Sequence, residues 1–193
     1  MEKNIKYILA STSPRRKELI KKLNIEFSIM QPDYDESLSD KAFSYRLIED
    51  IAENKNNSVA NKLKEPAVIV SADTVVVFNN KVLGKPKDYN TAFRMLSMLS
   101  GNTHKVVTSV CVYNNVSHIK VIKSETSTVS FKELSDYIID KYIMEYKPFD
   151  KAGAYGIQEL PEGFINNIDG SFDNIVGLPV EMVGQMIKRT ILV

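Results

Sequence analysis

The chain has 193 residues, of which 44% are hydrophobic and 25% charged, and its formal net charge is +1. That length fits one domain spanning residues 1–193, with enough chain to bury a sizeable core. The near-neutral charge excludes a global field that would draw nucleic acid or an anionic membrane, so any anion site must be local. No apolar run reaches the roughly 18 residues of a membrane span, and Met1-Glu2-Lys3-Asn4 does not open a signal peptide, which points to the cytoplasm.

An apolar strand over residues 7–10 runs into Ser11-Thr12-Ser13-Pro14-Arg15-Arg16. A helix follows over 14–23, with Leu19, Ile20 and Leu23 at helical spacing. Ser13 is a good N-cap, and Pro14 suits the first helical position because its missing N–H would be unsatisfied there anyway. Arg15, Arg16 and Lys17 then place cations against the positive end of the helix dipole, at a cost of about 0.3–1 kcal/mol each. A bound anion reverses that cost, so the turn reads as a phosphate site.

Asp33, Asp35 and Glu36 surround Tyr34 after Pro32, as either a solvated acidic loop or ligands that share a Mg²⁺ with Asp73. A helix is predicted over 41–63. Strands are predicted over 68–71 and 74–78, with 81–83 returning through a hairpin turn at Asn79-Asn80. Asp73, between Val68-Ile69-Val70 and Val75-Val76-Val77-Phe78, is costly to bury unless paired or hydrogen-bonded. It either closes a tight turn or serves as a general base or Mg²⁺ ligand. Gly84-Lys85-Pro86 is not a Walker loop; Lys85 is an exposed lysine or a phosphate contact at a strand end.

A helix over 89–99 is capped by Asp88, strands follow over 106–113 and 119–129, and a helix over 134–145 begins from Ser130 or Lys132-Glu133. Cys111, the one cysteine, reads as a small buried hydrophobe. His104 and His118 lack a nucleophile or metal pattern and read as structural or surface residues. Residues 150–178 carry five of the eight glycines and little periodicity, as binding loops do. There, Asp150-Lys151-Ala152-Gly153-Ala154-Tyr155-Gly156-Ile157-Gln158 is either a plain turn or a loop whose Gln158 amide reads a nucleobase edge. A last helix begins near Pro179. Strands alternating with helices, and two adjacent hairpin-like strands, predict an α/β fold with a mixed central sheet.

Taken in order, Ser11-Thr12-Ser13-Pro14-Arg15-Arg16, Ser71-Ala72-Asp73-Thr74, Gly84-Lys85-Pro86, the 150–158 segment and Asp169-Gly170-Ser171 with Val176-Gly177-Leu178-Pro179 resemble the signature of Maf proteins, nucleoside triphosphate pyrophosphatases also described as septum-formation inhibitors. The resemblance implies an elongated, two-lobed fold with a substrate cleft, similar to inosine triphosphate pyrophosphatases. It implies hydrolysis of a nucleoside triphosphate to the monophosphate and pyrophosphate with a divalent cation, Mg²⁺ or Mn²⁺, a house-cleaning role on non-standard nucleotides, and a homodimer. The rival readings are a non-catalytic nucleotide-binding regulator of septum formation and a nucleic-acid binder, the latter disfavoured by the net charge.

Arg15, Thr74 and Gln158 resemble the specificity positions of the subgroup acting on dTTP and UTP; the sister group acting on 7-methyl-GTP has an aromatic residue, Gln and Glu there. By the same resemblance Asp73 is the proton acceptor. Ser11, Arg16, Lys85 and Lys55 are the phosphate contacts, although Asn56 replaces the usual Ala beside Lys55. Asp35, with Asp73, would hold the metal, and Tyr34 stands where a hydrophobic residue is usual.

Overall fold

A computed structural model describes residues 5–34 and 42–191. Asp35, Glu36 and Lys41 lie outside the described residues. In chain order the elements are β1 (Lys6–Ala10), α1 (Pro14–Ile20) prolonged by a 3₁₀ turn (Lys21–Leu23), β2 (Phe27–Met30), α2 (Tyr45–Ala60), β3 (Ala67–Phe78), β4 (Lys81–Leu83), α3 (Tyr89–Leu99), β5 (Thr103–Asn114), β6 (Ile119–Phe131), α4 (Asp136–Tyr146), a 3₁₀ turn (Ala152–Ala154), β7 (Ile165–Asp169), α5 (Phe172–Val176) and α6 (Val180–Ile191). The strands form one sheet in the order β2-β1-β3-β5-β6-β7, with β4 also pairing β3. β1 runs parallel to β2 and β3, and every other pairing is antiparallel, so the sheet is mixed as expected.

β3 is buried on both faces, which is why it reads as a near-continuous apolar run. Its side chains alternate: Val70, Ala72 and Val76 join a large core with α1, α3, α4 and α6, whereas Ile69, Val75 and Val77 pack on the α2 side. Each of these valines and isoleucines contributes about 1.5–3 kcal/mol on full burial. Asn56 of α2 is fully buried and donates to the carbonyls of Ile69 (2.9 Å) and Cys111 (3.0 Å), which fastens the helix across β3 and β5. Cys111 is indeed buried, and burial pushes its thiol up to about 12. No described helix is long and apolar enough to cross a membrane.

Several expectations are corrected. Asp73 does not close a turn; β3 runs straight through it, because β5 pairs residues 68–77 without a break. Asn79 and Asn80 do form the hairpin turn, both at positive φ. α2 is shorter than 41–63: Ser44 caps it, its hydroxyl accepting from the Leu47 N–H, and Asn61 ends it. α4 starts from Ser135, not Ser130 or Lys132-Glu133, because Ser130 still pairs with β7 inside β6. β2, β7 and α5 were not foreseen, the last two inside the segment read as loop. Ser13 and Asp88 cap α1 and α3 as expected.

His104 is buried in β5, shares a 2.7 Å hydrogen bond with the Tyr155 hydroxyl, and packs edge-on against Phe131. Burial lowers its pKa to about 4, against about 6.5 in an unfolded chain. Between these values the unfolded state binds more protons, so stability is full above the unfolded value and is lost as pH falls toward the folded one. In urea unfolding, the drop in stability from about pH 7.5 to about pH 5 should be about 2 kcal/mol larger for wild type than for His104→Gln. Equal drops would show that His104 does not titrate in this way.

Candidate active site

A cleft of about 730 Å³ opens where β1 ends, a size suited to a small-molecule ligand. β1 pairs β3 only as far as Leu9 opposite Val70, and β4 takes up the same edge only from Leu83 opposite Val76. Between them, residues 71–75 of β3 have no strand partner on that edge among the described residues. Adjacent side chains of this segment point to opposite sides of the sheet, yet Asp73 and Thr74 both line the cleft.

On the α2 side, the Lys55 ammonium lies 2.7 Å from Asp73 Oδ1 and 3.5 Å from the Ala72 carbonyl. Both side chains are 7% exposed, so the pair is desolvated. Such a pair survives only with close geometry, since the desolvation penalty is several kcal/mol per ion. On the other side, Arg16 donates from Nε to the Gly177 carbonyl at 2.9 Å and from Nη2 to Thr74 Oγ1 at 3.0 Å. The buried Thr108 hydroxyl lies 3.0 Å from the Asn174 carbonyl, to which it can donate, and 3.0 Å from Thr74 Oγ1, which also lies 3.3 Å from the Gly177 carbonyl. A chain of hydrogen-bonding groups therefore links Arg16, Thr74 and Thr108 to the backbone of α5.

Ser11 is buried at the end of β1, and its hydroxyl accepts from the Ser13 N–H at 3.2 Å, which shapes the turn into α1. Arg15 Nη1 lies 3.5 Å from Asp150 Oδ2. Burial raises the Asp150 carboxyl, but the hydrogen bond and charge of Lys151, then the charge of Arg15, outweigh it and leave the group below its ordinary value. Lys85 is exposed on the segment after β4, and Gln158 is exposed on the loop after the second 3₁₀ turn; both line the cleft. The two segments are tied together, since the Gly153 N–H donates to the Gly84 carbonyl at 3.1 Å. Gly153 has φ +67°, and a Cβ there would lie 2.9 Å from Val76, so neither strain nor space admits another residue.

The cleft thus gathers every site residue expected from sequence except Asp35, which lies outside the described residues. Sequence reasoning did not single out Lys87, Thr108 or Asn174, and it included Lys151 and Gly177 only as members of their motifs, with no role assigned to either. For Lys151 a signal existed, a lysine next to an acid and two residues before Gly153; Thr108 looked like any threonine in a strand. Among the described lining residues are six cations and two carboxylates, Asp73 and Asp150, a local excess of four positive charges. The described residues hold no group of three or more His, Cys, Asp and Glu that could bind a metal unaided. The single carboxylate on the cleft floor fits Mg²⁺, which takes one or two protein carboxylates and completes its octahedron with water and phosphate oxygens.

The model of the family of Maf-like proteins matches residues 6–190. A dTTP/UTP pyrophosphatase of Clostridium perfringens (strain SM101 / Type A) is 44% identical over 186 residues, 96% of this chain and 97% of that protein. One of Alkaliphilus oremlandii is 39% identical over 182 residues, 94% of each chain. Among solved structures, a HAM1 protein from Coxiella burnetii superposes with a TM-score of 0.53 at 14% identity, covering 96% of this chain and 99% of that one. At that identity the likeness establishes the fold, a mixed sheet flanked by helices. On the full-length family match and on relatives of this identity, the chain belongs to the family of Maf-like proteins.

Proposed function

We propose that this protein is a nucleoside triphosphate pyrophosphatase, a hydrolase that converts dTTP and UTP to the monophosphate and pyrophosphate. The observation that carries the reading is one desolvated carboxylate, Asp73 with its Lys55 partner, in a cleft whose described lining includes six cations. The relatives named as dTTP/UTP pyrophosphatases support the substrate class. The proposal includes a single domain over 1–193 and action in the cytoplasm.

In this mechanism Arg16, Lys85 and Ser11 hold the phosphates, and Lys55 sets the orientation of the Asp73 carboxylate. Asp73 orients a water and accepts its proton as the water oxygen bonds to the α-phosphorus. The bond from that phosphorus to the oxygen bridging to the β-phosphate breaks, and pyrophosphate leaves. A divalent cation, held by Asp73 and by Asp35, would supply Lewis-acid neutralisation of phosphate oxygens. Most of the rate comes from positioning and from charge already in place in a partly desolvated site. Gln158 can donate to O4 and accept from N3–H of thymine or uracil, a pairing that an amide offers and a carboxylate does not.

Pyrophosphate release, followed with Mg²⁺ across dTTP, UTP, CTP, GTP and 7-methyl-GTP, should be fastest with dTTP and UTP; release from none of them would favour the non-catalytic regulator. Asp73→Asn keeps an oxygen for Lys55 but loses the base, so kcat should fall by about 10²–10⁴. The same variant should lose no more than about 3–5 kcal/mol of stability and stay folded by circular dichroism. A kcat close to wild type in that folded variant would remove Asp73 from the mechanism. Gln158→Glu should lower kcat/KM for dTTP about 10-fold or more relative to 7-methyl-GTP, the size of one misplaced hydrogen bond. An unchanged ratio would take Gln158 out of base recognition.

A further inference from the structure

Lys151 lines the cleft, yet its side chain is only 8% exposed. Its ammonium lies 2.8 Å from Asp150 Oδ1 and 3.1 Å from Glu159 Oε2. Asp150 Oδ2 in turn faces Arg15 Nη1 at 3.5 Å. Charges of alternating sign therefore run from Glu159 through Lys151 and Asp150 to Arg15. Glu159 is the residue after Gln158, so the two ends of this row are Arg15 and the neighbour of Gln158.

The lysine stem has a made passage. A Cβ on Gly156 would stand 2.9 Å from Lys151 Cε and 3.0 Å from Cδ, so any side chain at 156 would push the lysine stem out of its present path. The loop is pinned from its other side by the Gly156 N–H, which donates to the hydroxyl of the buried Tyr142 in α4 at 3.2 Å. A charged ammonium brought out of water between two carboxylates, with backbone shaped around it, is a costly way to close a turn, because an apolar residue would do so without the desolvation. It does something an apolar residue cannot: it fixes the distance between two charged groups, Asp150 beside Arg15 and Glu159 next to Gln158.

We propose that Lys151 is a specificity-positioning residue, a buried clip that holds the Gln158 loop in register with Arg15 so that both meet the same pyrimidine ring. The inference rests on the pyrimidine reading given above, and it assigns Lys151 no contact with the phosphates. Base discrimination and phosphate binding are therefore separable in it.

The test is calorimetric binding of dTMP, dCMP and inorganic pyrophosphate to wild type, Lys151→Met and Glu159→Gln. Methionine matches the lysine stem in the passage and removes only the charge. The preference for dTMP over dCMP should fall about tenfold in Lys151→Met, the equivalent of one hydrogen bond put out of line. It should fall in the same direction, by less, in Glu159→Gln, which keeps the side-chain volume and carries the test if Lys151→Met does not fold. Pyrophosphate affinity should stay within about twofold of wild type in both, since Arg16 and Lys85 are untouched. Equal weakening of dTMP, dCMP and pyrophosphate would mark Lys151 as a loop staple and overturn the proposal, as would an unchanged preference in folded variants. Pyrophosphate release by wild type, measured alongside, separates the two readings. Release with an unchanged preference sinks the clip alone; no release with a collapsed preference sinks the hydrolase and leaves the clip.

Discussion

The site depends on an interruption in one edge of the central strand. β3 is twelve residues long and is paired with β5 almost throughout, but on its other edge β1 stops at Ala10 and β4 begins only at Lys81. An unpaired strand edge in a protein interior is a row of polar groups without partners, a liability that folds normally cover. Here the exposed edge is the opening of the cleft. Because side chains alternate along a strand, a continuous sheet would keep Asp73 and Thr74 on separate sides with backbone between them. The gap lets the ion pair from the α2 side and the arginine clamp from the opposite side face one ligand.

The charges there would not be chosen for stability. Replacing a buried ion pair by apolar residues of similar size is often neutral or stabilising, so Lys55–Asp73 is weak evidence for a stabilising role. The same holds for Lys151 between two carboxylates. Both lysines line the cleft, and each holds a carboxylate in a set place, Lys55 from α2 and Lys151 within its own loop. Stability is supplied elsewhere, by the apolar faces of β3, β5 and their helices, which leaves the cleft residues free to be arranged for a polyanion.

Legibility followed the same division. The ends of α1 and α3 were readable because Ser13 and Asp88 cap them through local hydrogen bonds that sequence specifies directly. The mixed sheet followed from the adjacent hairpin-like strands, with the turn at Asn79-Asn80 legible in two consecutive asparagines. β3 was split at Ser71–Thr74 because a buried aspartate looks like a break in an apolar run; what pairs it, Lys55, is eighteen residues away along the chain, on a helix. β2 and β7 are short and have no fully buried residue, and α5 has five residues, so none carries enough periodicity to stand out. The cleft residues were legible as motifs, but the contacts that hold them, Gly177 on Arg16 and Glu159 on Lys151, are tertiary and leave no local pattern.

Arg15 and Arg16 show what that tertiary layer adds. They are neighbours in sequence and share the first turn of α1, where both oppose the helix dipole. The fold sends them to different frameworks. Arg16 is held by the Gly177 carbonyl and, through Thr74 and Thr108, by α5. Among the described residues Arg15 meets Asp150, at 3.5 Å, and so depends on what fixes Asp150, which is Lys151. A strongly clamped guanidinium suits a phosphate, whose charge is the same in every nucleotide. A guanidinium set by a loop suits the part of the ligand that varies, because changing the loop changes the reading without loosening the grip. Both frameworks come from the glycine-rich segment between residues 150 and 178, which is why a stretch with so little regular structure is needed to give the two arginines distinct positions.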